Sequence, residues 1–263
     1  MALLEPISIP PPAPAPRPPA AQPRAPAAPQ APAPKDGAWP APTPPQRAFF
    51  EVHGYLVVQD AIPDAVLDDL MHRSSRIREQ RLAMDWSARS SRDDDQVLQS
   101  MLEMDWPDWT QAPFHQWTWA MASHLLGGPA RLWSNQILDK PPLRGAASHW
   151  HQDGVLIGAG GGRMVSCWMP LHDVDVDSGC MHFVDGGHRD PLPTTPLTAD
   201  VPCGYQACTV DPSRVVACPI PRGSVTFHHG LTPHMTQVNR SPRWRQVVIQ
   251  RFFVGPFPDS GRH

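Results

Sequence analysis

The chain has no C-x-x-C pair, no run of lysine or arginine, and no stretch of eighteen apolar residues. Each absence removes a class of function. The five cysteines, Cys167, Cys180, Cys203, Cys208 and Cys218, form an odd set whose spacing fits neither a disulfide framework nor a zinc cage. A reducing cytoplasm is therefore the expected compartment. With 22 basic against 25 acidic side chains the formal charge is only −3, so no electrostatic footprint for nucleic acid or anionic lipid stands out. The opening residues Met-Ala-Leu-Leu-Glu-Pro lack the basic and apolar regions of an export signal, and no membrane span is expected. The expected partner is a small molecule, and the oligomeric state is left open.

What is present divides the chain in two. Residues 1–45 hold 17 of the 35 prolines, interleaved with alanine. Proline supplies no backbone donor and alanine offers little apolar area, so a disordered tail with polyproline II character is expected there. Residues 46–263 are expected to form a single domain, long enough to bury a core without disulfides or structural metal.

Within that domain, a short helix ending near Gly54 should lead into a strand at Tyr55–Val58, followed by a helix with Pro63 in its first turn. Val66, Leu67, Leu70, Met71 and Ile77 fall on one face of the latter at the 3.6-residue period. Phe114, Trp117, Met121 and Leu125 mark another helix, closed by Gly127-Gly128. From residue 131 the pattern changes to short alternating runs, near 131–138, 148–153, 164–171, 180–184, 214–217, 224–229 and 245–254. Their number and spacing suit a mainly β fold with flanking helices and a jelly-roll, cupin-like core. Residues 83–111, with Trp86, Trp106, Trp109 and the triplet Asp93-Asp94-Asp95, are long enough for a cover over a site, although the triplet by itself reads as a solvated loop.

The chemistry concentrates in Ser148-His149-Trp150-His151-Gln152-Asp153-Gly154. On a strand, residues two apart share a face, so His151 and Asp153 can converge on one ion. An imidazole, a carboxylate and a second imidazole make the facial triad of non-haem Fe(II) sites, with three positions left open. The second imidazole should come from the segment that starts at Gly223, where His228, His229 and His234 compete. His149 is the substitute for His151. His172, His182 and His188 read as structural, and Arg243 and Arg251 as solvated or salt-bridged.

Together these two segments resemble the phytanoyl-CoA dioxygenase family of Fe(II)/2-oxoglutarate oxygenases. The run Asn135-Gln-Ile-Leu-Asp-Lys-Pro-Pro and the stretch from Trp168 to His188 agree with it, except that Asp185-Gly186-Gly187-His188 replaces a Pro-Gly-Ser-His element. The resemblance, over about residues 46–254, implies a double-stranded β-helix with Fe(II) held by His151, Asp153 and His234. It also implies 2-oxoglutarate bound through Arg245, with Thr236 and Gln136 as further co-substrate contacts. Arginine suits the remote carboxylate because its planar fork makes two parallel hydrogen bonds.

The implied reaction consumes O2 and 2-oxoglutarate, with ascorbate an allowable reductant, and releases succinate and CO2. Hydroxylation of an unactivated C–H bond in a small metabolite, within secondary metabolism, is the expected outcome. Desaturation, cyclisation and epimerisation are alternatives. Halogenation is disfavoured, because Asp153 occupies the position a halide would need. A non-catalytic, metal-binding cupin-like module is the other class to be told apart.

Overall fold

The computed structural model describes residues 23–30, 39–83, 98–100, 109–143, 145, 147–155, 162–190 and 209–256. Most of the segment 83–111 lies outside these residues, including Trp86, Trp106 and the acidic triplet, and so do Cys203 and Cys208.

Among the described residues, three α-helices flank two antiparallel sheets. Helix α1 (Pro44–His53) starts on two prolines, whose missing N–H groups cost nothing in a first turn. The Gln46 side chain accepts from Thr43 N at 3.0 Å, one arm of a capping box. Gly54 ends the helix at φ +77°, and its carbonyl accepts from the Thr232 hydroxyl at 2.7 Å. A Cβ at Gly54 would strike that hydroxyl and the His188 ring, so the position needs glycine for space as well as for its conformation. Strand β1 (Tyr55–Val58) follows, then α2 (Asp64–Ala83), β2 (Leu98–Ser100) and α3 (Pro113–Leu126).

The remaining strands are β3 (Arg131–Lys140), β4 (Ser148–His151), β5 (Met164–Pro170), β6 (Met181–Val184), β7 (Val215–Cys218), β8 (Val225–His229), β9 (His234–Thr236) and β10 (Arg245–Phe253). The larger sheet runs β1-β8-β5-β10-β3-β2 and the smaller β4-β9-β6-β7. This is the jelly-roll core expected from the strand spacing.

Alternation along β10 explains the layering. Val248 and Phe252 join Leu56, Val165, Phe227 and helix residues such as Leu67 and Phe114 in the core between the large sheet and the helices. Val247 and Ile249 point the other way, joining Tyr55, Trp168, Met181 and Phe183 between the sheets. Every residue of β10 is buried, as a central strand covered on both faces requires. Arg245 and Arg251 have the same parity along β10 as Val247 and Ile249.

Residues 23–30 do not stand apart from the domain: Ala217 N donates to Pro23 O at 3.0 Å and Ala25 N donates to Ala217 O at 2.9 Å. Gln30 then donates to Val57 O at 3.2 Å and accepts from Gln59 N at 2.9 Å. The segment thus reaches from β7 to β1, the end strands of the two sheets, and uses backbone groups that a Pro/Ala composition does not advertise. Helix α1 follows this segment from Pro44.

The strand expected over 148–153 stops at His151, with an irregularity between Ser148 and His151. Asp153 lies just beyond it. Among the described residues no helix is long and apolar enough to cross a membrane.

Candidate metal centre

His151 and His234 are cross-strand partners on β4 and β9, the latter a short strand absent from the runs expected from the sequence pattern. Their ring centroids are 4.1 Å apart. Asp153 is placed by the turn after β4 rather than by strand alternation. Gly154 N donates to Gly230 O at 2.7 Å, and the Gln152 side chain donates to Leu231 O at 2.5 Å, tying this turn to the loop between β8 and β9. The ligand atoms of His151, Asp153 and His234 all lie within 4.8 Å of one another, and all three residues are buried.

Orientation of the rings follows from their second nitrogens. His151 Nδ1 is 2.6 Å from His149 O, and His234 Nδ1 is 2.9 Å from Thr232 O. A carbonyl can only accept, so each Nδ1 carries the proton and each Nε2 offers its lone pair. Those Nε2 atoms stand 3.8 and 3.9 Å from the Asp153 carboxylate, too far for hydrogen bonds. Burial, and then the neighbouring imidazole, push His151 and His234 down to about 3, so both rings are neutral near pH 7. Burial pushes Asp153 up, but the Arg251 charge and the surrounding imidazoles outweigh it and hold the carboxyl well below its usual range.

The donor set therefore fits a divalent cation. Asp153 Oδ1 is buried and has no hydrogen-bond partner among the described residues, whereas Oδ2 accepts from Ser166 Oγ at 2.5 Å and lies 3.0 Å from Arg251 Nε. A buried oxygen without a donor is costly unless a cation completes it. His149 is exposed and contributes its backbone carbonyl rather than its ring. His228 is buried beside the trio, its Nε2 3.4 Å from Asp153 Oδ2. His229 lies outside it and bonds to Gly162 O and Leu231 N.

Arg245 is fully buried at the start of β10, and its three guanidinium nitrogens have no hydrogen-bond partner among the described residues. Its Cζ is 5.6 Å from the centre of the Trp168 ring. Burial lowers its pKa to about 10 against the pull of the Asp139 carboxylate, so it stays charged. Directly across the ladder stands Lys140, also fully buried, which sequence reasoning missed.

Lys140 Nζ donates to Thr236 Oγ1 at 2.7 Å and to Gln237 O at 2.6 Å. An ammonium only donates, so the Thr236 oxygen accepts and its own hydrogen is left to point elsewhere. Gln136 lines the same cavity, but its Oε1 accepts from Arg251 at 2.9 Å. Arg243 is exposed. The cavity lies between the sheets, and His151, Asp153, His234, Thr236, Trp168 and Arg251 contribute to its wall.

His182 bonds to Cys180 O and His172 to the β10 backbone, as structural histidines would. The turn Asp185–His188 packs on the end of α1 instead of the cavity: Gly186 N donates to His53 O, and Asp185 meets the His53 ring at 2.6 Å.

A family model described as "Phytanoyl-CoA dioxygenase (PhyH)" matches residues 50–247. The zebrafish (Danio rerio) phytanoyl-CoA dioxygenase domain-containing protein 1 is 29% identical over 129 residues, 45% of this chain and 43% of that protein. The match thus spans less than half the length of that curated relative. Among solved structures, EvdO2 from Micromonospora carbonacea var. aurantiaca, complexed with 2-oxoglutarate, aligns with a TM-score of 0.70 at 24% identity, over 86% of this chain and 96% of its own. The epimerase SnoN, complexed with Fe3+, alpha-ketoglutarate and nogalamycin RO, aligns at 0.64 and 23% identity, over 79% and 82%. These two alignments establish the fold.

Proposed function

Because the chain belongs to the phytanoyl-CoA dioxygenase family, we propose that it is an Fe(II)/2-oxoglutarate-dependent dioxygenase acting on a small metabolite. The observation that carries this reading is the pairing of two features, one on the cavity and one against the Trp168 side chain of its wall. Three buried ligand atoms of the His, Asp, His type converge on the cavity, and a buried arginine, Arg245, without a hydrogen-bond partner among the described residues stands behind Trp168. A metal-binding cupin-like module would need the first and has no use for the second.

In this reading His151, Asp153 and His234 hold Fe(II), and Arg245 receives the remote carboxylate of 2-oxoglutarate while Thr236 donates its hydroxyl hydrogen to the same group. Lys140 fixes Thr236 for that task. Trp168 and Ile249 form an apolar wall that excludes water beside the co-substrate chain. Iron with 2-oxoglutarate and O2 supplies oxidation of an unactivated C–H bond, with succinate and CO2 released; ascorbate would serve as reductant. The chain's own residues bind, orient and keep the site dry.

Hydroxylation within secondary metabolism is the proposed outcome, since it needs no further steering of the substrate. Desaturation, cyclisation and epimerisation would use the same residues. The buried, unpaired thiols of Cys167, Cys180 and Cys218 support placing the protein in a reducing cytoplasm. Anaerobic titration of the Fe(II) protein with 2-oxoglutarate, followed by metal-to-ligand charge-transfer absorption and by succinate release once air is admitted, tests the proposal. Absence of the absorption band would refute it.

A further inference from the structure

Three side chains that surround one oxygen of Asp153 come from neighbouring strands and form a single row. Ser166 on β5 is the cross-strand partner of both His228 on β8 and Arg251 on β10. Residues directly opposite one another project from the same face of a sheet, so all three reach toward Asp153 on the far side of the cavity. Ser166 Oγ donates to Oδ2 at 2.5 Å, Arg251 Nε stands 3.0 Å from it and His228 Nε2 3.4 Å. None of these contacts is to Oδ1, which is buried without a hydrogen-bond partner among the described residues. Arg251 is held at its other end as well, since Nη1 donates to Gln136 at 2.9 Å and lies 3.4 Å from the Ser134 hydroxyl.

We infer that this row is a carboxylate clamp: Ser166 and Arg251, backed by His228, hold Oδ2 so that Asp153 presents only Oδ1 to the metal. A carboxylate free to turn can offer both oxygens, and a second metal–oxygen bond would close a position that the co-substrates need. Gripping Oδ2 prevents the turn and leaves Oδ1 unobstructed. Arginine suits the task because one guanidinium can reach Asp153 and Gln136 together, which a lysine point charge cannot. The three clamp members are positioning residues, acting through Asp153. Gln136 thereby acquires a role toward Arg251 beside the co-substrate contact that the family resemblance implied.

The clamp rests on the metal-site reading above, and Co(II) titration of the full chain under anaerobic conditions separates the two. Parent protein, Ser166→Ala, Arg251→Met and Arg251→Lys are compared by their d–d absorption. Ser166→Ala and Arg251→Met should each weaken Co(II) binding by about 10- to 100-fold, the usual cost of losing a group that orients a metal ligand. Both should also change the energies and intensities of the bands, because the coordination of Asp153 changes. Arg251→Lys should recover part of the affinity.

If Arg251 acted only as a buried positive charge, its removal would tighten Co(II) binding. Equal or tighter binding with unaltered bands in Ser166→Ala and Arg251→Met overturns the clamp. Ser166→Ala deletes a single oxygen and decides the matter if Arg251→Met does not fold. A parent protein without d–d bands would overturn the metal site itself.

Discussion

Arg245 stands directly opposite Lys140 on the paired strands β10 and β3, and both cations are fully buried. Their surroundings differ. Lys140 has the Thr236 hydroxyl and two backbone carbonyls within 3.4 Å, while Arg245 has no hydrogen-bond partner among the described residues and faces Trp168 and the more distant charge of Asp139. Two adjacent buried cations repel one another, and an anion placed against Arg245 relieves that repulsion.

Arg245→Ala should therefore leave metal affinity nearly intact and weaken 2-oxoglutarate binding. Truncating one member of a buried charge pair costs roughly 2–5 kcal/mol, or about 30-fold to several thousand-fold in affinity. Titration into the anaerobic Fe(II) protein measures this. Arg245→Lys should recover only part of the loss, and Arg243→Ala, at an exposed position, should have little effect. Unchanged binding in Arg245→Ala would remove that residue from the co-substrate site.

His151→Ala, Asp153→Ala and His234→Ala should each abolish iron-dependent succinate formation, since each deletes one of the three converging ligands. His149→Ala should keep most activity, because the His149 atom that orients His151 belongs to the backbone. An inactive His149→Ala alongside an active His151→Ala would shift the ligand assignment by one turn of the motif.

Proton release on metal binding should be close to zero between pH 6 and 8. His151 and His234 gain protons only near 3, and Asp153 is already ionised, so the metal displaces none. Calorimetry in two buffers of different ionisation enthalpy reports the number directly. The same depression makes the metal-free fold sensitive to acid. In the unfolded chain these imidazoles take up protons near pH 6.5 while the folded ones do not, so the unfolded state binds more protons and stability falls as pH drops from about 6.5 toward 3. Melting of the metal-free protein should therefore occur at a lower temperature at pH 5 than at pH 7.5.

Deleting residues 1–22 and deleting residues 1–42 should have different consequences. The longer deletion removes the backbone bonds from Pro23 and Ala25 to Ala217 and the contacts of Gln30 with β1, leaving two sheet edges without their cover. A lower melting temperature and greater self-association are expected for that variant alone, by thermal melts and light scattering. Equal behaviour of the two would mean that the segment adds nothing to the edges it touches.

These differences show where sequence reasoning could reach. His151 and Asp153 are legible because their spacing is local, and β10 is legible because its alternation survives burial on both faces. The reading of Arg251 as salt-bridged anticipated a charge partner for it. What the sequence could not supply was that partner: the row through Ser166 and His228 depends on the register between strands far apart in the chain, and a lone serine in Met164–Pro170 gives no signal. Lys140 was hidden for the same reason. Residues 23–30 escaped because they dock through main-chain groups and one glutamine, with no apolar period to mark them.

The two sheets contribute unlike parts of the site. His151 and His234 belong to the small sheet and Asp153 to the turn after β4, whereas Arg245, Arg251, Ser166 and His228 project from the large one. Neither layer is complete alone, so any fluctuation that parts them dissolves the site before a strand unravels. Occupancy consequently braces the gap: a ligand at a hundred times its dissociation constant holds the joined state by about 2.7 kcal/mol. Amide exchange should register this as slower opening of β4 and β9 on loading with metal and 2-oxoglutarate, while amides of α1, against the outer face, exchange at their former rate.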